Sequence, residues 1–136
     1  LLDALLRKQA FASHVVTQMC FDADALAGWV RSIRRAGVEL PVVVGLPGVV
    51  ERRKLAEISL QTGVGASLRY LRKNRRQLTA LLRGRHYDPT GLARAVAGRL
   101  EEAGLAAAGA HLFTFNQLGP TSAWVQSLAG APGPGG

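Results

Sequence analysis

Pro41-Val42-Val43-Val44-Gly45 is an apolar run without polar alternation. A strand with one wet face alternates apolar and polar side chains. An unbroken β-branched run needs cover on both faces, as in a parallel sheet wrapped by helices. The wider stretch Leu40 to Val50 holds two prolines and two glycines. A membrane helix needs roughly 20 apolar residues, so this is a buried strand and no membrane is expected as a partner.

Upstream, Gly37 has the position of a helix C′ residue, behind Leu26, Trp29, Val30 and Ile33 at i, i+3, i+4, i+7 spacing. Asp22 stands where the N-cap belongs, with Asp24 in the first turn. Before it, His14-Val15-Val16-Thr17-Gln18 reads as a second buried strand. Leu1 to Phe11 reads as a helix with Leu2, Leu5 and Leu6 on one face and Arg7 and Lys8 near its C-terminal end, where the dipole favours cations.

Downstream, Leu46-Pro47-Gly48 makes a turn into a helix over Glu51 to Thr62, with Leu55, Ile58 and Thr62 along one side. Gly63-Val64-Gly65 breaks it, and Ala66 to Leu82 is expected as one kinked helix or two short ones. Asp88-Pro89 opens the next helix as N-cap and N1. Leu92, Val96, Leu100 and Ala103 form its apolar face, and Gly104 ends it. His111-Leu112-Phe113-Thr114-Phe115-Asn116 is the third strand, and Thr121 to Leu128 a short closing helix. The expected organisation is a folded segment over 1–128 and a disordered Pro/Gly-rich tail over 129–136.

Strands alternating with helices give an α/β protein with a parallel sheet. Three parallel strands leave two raw edges and an uncovered face, whereas a closed barrel removes its edges. The fold class expected is therefore the C-terminal portion of a (β/α)8 TIM-type barrel, incomplete in this chain. The leading Leu1 in place of Met accords with a fragment that does not fold stably alone.

The lone cysteine, Cys20, cannot close an internal disulfide, which makes the cytoplasm the expected compartment. It reads as a packed thiol after a strand. His14, His86 and His111 lack metal-ligand spacing, and no serine lies in a G-x-S-x-G context. The net charge of +8, from 17 Lys and Arg against 9 Asp and Glu, suits either a solvated basic surface or polyanionic partners. Arg69, Arg72, Lys73, Arg75, Arg76, Arg83 and Arg85 concentrate it. With only Tyr70 and Tyr87 interleaved, a solvated face is preferred there over a nucleic-acid surface.

Parallel α/β proteins place their sites at the carboxyl ends of strands. Those ends are Thr17-Gln18-Met19, Gly45-Leu46-Pro47 and Thr114-Phe115-Asn116-Gln117. The amide of Gln18 can donate and accept at once, which suits a heterocycle edge; it can equally bond the neighbouring backbone. Asn116 and Gln117 invite the same two readings. Gly45 and Gly48 either admit a flat ligand or shape a βα turn. No general acid stands out.

Three segments in register resemble methylenetetrahydrofolate reductase. Lys8 to Asp22, with Thr17-Gln18 and Phe21-Asp22, is similar to the family's Thr-Gln strand and its surroundings. Ala36 to Gly45 is similar to Ala-Gly-Ile followed by a strand entering Pro-Gly, and Gly109 to Asn116 to the final strand His-Phe-Tyr-Thr-Leu-Asn. The resemblance implies a barrel that binds FAD and reduces 5,10-methylenetetrahydrofolate to 5-methyltetrahydrofolate with NAD(P)H. On its terms Gln18 contacts the pterin or the nicotinamide. Lys54 takes the place of a substrate-contacting glutamine, and Gln117 that of an arginine. Asp3 and Arg7 lie near the flavin-contacting helix. The chain departs from the family at Val44, where a proline is usual, and at Ile58, where a phenylalanine is common. The family's proton-donor glutamate belongs to a first strand not found here, so this chain alone is expected to be inactive. The alternatives are a basic module binding RNA or another polyanion through Arg69 to Arg85, and an inactive barrel remnant.

Overall fold

The computed structural model describes residues 1–61 and 83–130. In chain order its elements are α1 (Leu2–Lys8), β1 (Val15–Val16), α2 (Ala23–Arg35), β2 (Val42–Pro47), β3 (Val50–Glu51), α3 (Arg52–Gln61), β4 (His86–Tyr87), α4 (Thr90–Glu102), β5 (Gly109–Phe113) and α5 (Leu118–Gly130). The fold is mixed α/β. The helical region expected over Ala66 to Leu82 and most of the basic run, Arg69 to Arg76, lie outside the described residues.

Three strands form a parallel sheet in the order β1-β2-β5. Val15 and Val16 pair with Val42 and Val43, and the five residues Val43 to Pro47 pair with Gly109 to Phe113. Each expected strand is present, with shifted ends, but the first is not buried as expected: as an edge strand it leaves Val15 half-buried and Val16 exposed. The last begins at Gly109 rather than His111 and stops at Phe113, because Phe115 and Asn116 take left-handed backbone angles, φ 48 and 65.

Alternation along β2 sorts the core. Val42, Val44 and Leu46 are buried in one apolar cluster with Leu26, Val30 and Ile33 of α2 and Val96 and Leu100 of α4. The helices cover this face, while Val43 on the other face is half-buried. Arg99 joins the two helices through Asp24 at 2.8 Å, but both groups are about half exposed, and such pairs contribute at most ~1 kcal/mol.

The caps on α2 lie where the sequence places them. Asp22 Oδ1 accepts from the Ala25 amide at 3.0 Å. At the other end Gly37, φ 93, donates to Arg34 O while Val38 donates to Ile33 O. This pair of bonds is a Schellman motif, and Val38 and Ile33 are both fully buried in the same cluster. Gly104, φ 67, ends α4 through the same two bonds, Gly104 to Glu101 O and Leu105 to Leu100 O. The helix begins at Thr90, so Pro89 takes the N-cap position expected of Asp88, whose Oδ1 accepts from the Thr90 amide at 2.8 Å just ahead of the helix.

Two features differ from expectation. Val50–Glu51 and His86–Tyr87 form an antiparallel pair, so the segment after β2 becomes a short strand before α3 starts at Arg52. Two-residue strands carry too little pattern to be read from periodicity. The last helix spans Leu118–Gly130 rather than 121–128, so it starts earlier and takes in the first two residues assigned to the tail.

Among the described residues no further strand pairs with either edge of the sheet. Val16 on β1 is exposed, as are the first three residues of β5. An apolar trough of about 440 Å³ lies between α4 and strands β2 and β5, lined by Val44, Leu46, Ala97, Leu100, Leu105 and Ala110 among others. Among the described residues no helix is long and apolar enough to cross a membrane.

Candidate functional site at the carboxyl ends of the strands

Beyond Val16 the β1–β2 ladder goes out of step. Thr17 donates to Val43 O at 3.0 Å, as a regular parallel ladder requires. The next rungs would run from Gly45 N–H to Thr17 O and from Met19 N–H to Gly45 O. Instead Gly45 donates to Thr17 Oγ1 at 2.8 Å, and it is Cys20 that donates to Gly45 O at 3.0 Å. One additional residue has been accommodated on the first strand, which is a bulge. Gln18 sits at it. Bulges gather beside functional sites because they re-aim a side chain.

Gly45 is what allows this. A Cβ there would lie 2.6 Å from Thr17 O, 2.8 Å from Gln18 O and 2.9 Å from Phe113 Cε2. Gly48 is equally confined, its would-be Cβ 2.5 Å from Thr121 Oγ1. Both glycines are closely approached, and the approaching groups are the protein's own.

A second apolar cluster gathers at this rim: Met19, Phe21, Val50, Leu55 and Tyr87, with Phe113 and Phe115 packed against it. Phe21 meets Tyr87 edge-on at 6.2 Å, and Phe113 stacks with Phe115 at 6.2 Å. Burial pushes the Tyr87 hydroxyl well above the ordinary tyrosine range, assisted by the negative charge of Asp88.

Thr114 to Gln117 closes a tight turn, with the Gln117 amide donating to Thr114 O at 2.9 Å. Its two central residues have positive φ, the pattern of a type I′ turn. Asparagine tolerates that region, but phenylalanine there costs about 1–3 kcal/mol. The strain is held in place by the cluster beneath Phe115.

The candidate residues divide between two rims. Gln18 is exposed at the carboxyl end of β1, and its Oε1 accepts from the Met19 amide at 2.9 Å. The local backbone thus occupies its oxygen, while no partner for Nε2 is found among the described residues. Gln117 lies at the same rim after β5, where its Oε1 accepts from the Glu51 amide at 2.9 Å. Lys54 is half-buried in the first turn of α3. Asn116 is exposed. Asp3 and Arg7 pair with each other at 2.8 Å, each about three-quarters exposed. Two residues beyond Arg7, Gln9 bonds Gly37 O and the Glu39 amide in the loop that feeds the start of β2. Arg7 therefore belongs near the amino ends of the strands. Asp3 and Arg7 lie on that side, mutually paired and solvated.

Cys20 is half-buried, its Sγ donating to Asp22 O at 3.2 Å. Burial pushes its thiol up, away from the thiolate that a nucleophile needs. Among the described residues no group of His, Cys, Asp and Glu is placed to hold a metal ion.

Sequence reasoning named Thr17 only as part of a strand end, without its tie to Gly45, and missed Thr121. Thr121 Oγ1 accepts from the Val49 amide at 3.2 Å and donates to Gln117 O at 3.3 Å. No local pattern marks either threonine, because each bonds a residue distant in the chain. No family model matches the sequence.

Proposed function

We propose that this chain is the C-terminal, substrate-facing part of a (β/α)8 barrel resembling methylenetetrahydrofolate reductase. Its parent would reduce 5,10-methylenetetrahydrofolate to 5-methyltetrahydrofolate with NAD(P)H in the cytoplasm. The observation that carries the reading is the bulge at Gln18, on the rim formed by the three parallel strands β1-β2-β5. The two sheet edges, unpaired among the described residues, support it, since a barrel would continue from each of them.

In this reading the Gln18 carboxamide offers Nε2 to an acceptor on the ring of the folate or the nicotinamide. Gln117 positions the rim by holding the Glu51 amide, and Lys54 supplies a cation suited to an acidic substrate. FAD, NAD(P)H and the proton donor belong to the parent enzyme.

The test is expression of the complete reading frame, followed by its visible spectrum and folate kinetics. Flavin absorption with Gln18→Ala lowering kcat/KM for the folate roughly 10-fold or more, about 1.4 kcal/mol of transition-state binding, supports the proposal. A colourless protein, or unchanged kinetics in the variant, overturns it.

A further inference from the structure

α5 is joined to the rest of the protein in an unusual way for a 13-residue helix. Its only buried residue is Thr121. None of its residues belongs to either apolar cluster of the core. Leu118, Val125 and Leu128 are instead exposed, Leu118 to 69%.

Its ties to the other described residues are polar. Thr121 Oγ1 takes the Val49 amide and returns a bond to Gln117 O. Gln117, one residue before the helix, takes the Glu51 amide. Further along, Trp124 Nε1 donates to Thr90 Oγ1 at 2.9 Å, and that hydroxyl donates to Asp88 Oδ1 at 2.6 Å. The bonds reach the β2–β3 connection and the first turn of α4, both at the carboxyl rim of the sheet. The turn from which the helix departs holds Phe115 at positive φ.

Apolar burial is what makes an element open only with the whole domain. An element fastened by a few hydrogen bonds, and starting from a strained turn, opens at lower cost. We propose that α5 is a strap across the carboxyl rim, latched by Gln117, Thr121 and Trp124, which lifts as a unit while the parallel sheet stays folded. Lifting releases the Val49 and Glu51 amides and uncovers the rim beside Gly48. The device does not depend on the rim's binding a folate.

Hydrogen exchange of the full chain, read residue by residue, tests this. Amides over 118–130, with those of Val49 and Glu51, are expected to exchange about 10-fold or more faster than those of Val44 and Leu46. Thr121→Val removes the hydroxyl at nearly constant shape. It is expected to accelerate exchange at Val49 and along α5 several-fold, leaving β2 unchanged. Trp124→Phe keeps a ring but loses the N–H, and should reproduce the effect along α5. The strap is refuted if α5 and β2 exchange at one common rate in the unaltered chain. It is equally refuted if both variants leave α5 unaltered or accelerate helix and sheet alike.

Discussion

The amide of Gly45 donates to the side-chain oxygen of Thr17, at 2.8 Å, where a parallel ladder would supply the Thr17 carbonyl. The hydroxyl in turn donates to Gln18 O at 2.9 Å, so one threonine bridges both sides of the bulge. The position of Gln18 at the rim depends on this substitution of a side chain for a backbone acceptor.

Thr17→Val keeps the β-branched shape and removes the acceptor. The Gly45 amide is then left without its partner, and stability should fall by about 1–3 kcal/mol. Thr17→Ser, which keeps the oxygen, should cost less. Urea unfolding midpoints of the two variants decide it; equal midpoints would show that the hydroxyl does not support the ladder.

Gly45→Ala places a methyl group against two backbone carbonyls and the Phe113 ring, none farther than 2.9 Å. Overpacking of this kind costs about 1–3 kcal/mol. Gly28→Ala, in the middle of α2 with nothing within 4 Å of the added carbon, should stabilise by about 0.8–1 kcal/mol through helix propensity. Opposite shifts in thermal midpoint are the expected outcome.

Tyr87 gives the fold an alkaline limit. Its ordinary value is 10.0, and burial raises it in the folded chain. Between these two values the unfolded chain releases a proton that the folded chain retains. The stability associated with the neutral hydroxyl is therefore complete below pH 10.0 and is lost as pH rises above it. Tyr87→Phe should leave neutral-pH stability nearly unchanged and flatten the decline above pH 10.0. Denaturation curves collected across that range would count against the assignment if the two declines coincide.

Asp22→Ala should cost about 1 kcal/mol by removing the oxygen that accepts from Ala25. Asp22→Asn, which keeps an acceptor, should recover most of it. Far-ultraviolet melting curves of the pair distinguish a lost cap from a general disturbance of the core.

Much of the helix-covered half was legible because its signals are local. The caps of α2 involve groups three to five residues apart, within reach of a pattern read along the chain. The unbroken valines of β2 required cover on both faces, and α2 and α4 supply it on the clustered side. The candidate rim was legible only as three strand ends. Gln18 was named from its place after a strand, but its bulge needs Gly45, 27 positions on. The tie between Thr121 and Val49 spans 72 positions.

The sequence by itself thus determined the α/β alternation, the α2 caps, the parallel strands and the helix-facing core, since periodicity and capping act within a turn or two of chain. The tertiary structure alone decided the bulge at Gln18, the β3–β4 pair, the strained Phe115 turn and the polar fastening of α5. Each of these rests on bonds or packing between residues that meet only after the chain has folded, and such meetings leave no period in the sequence.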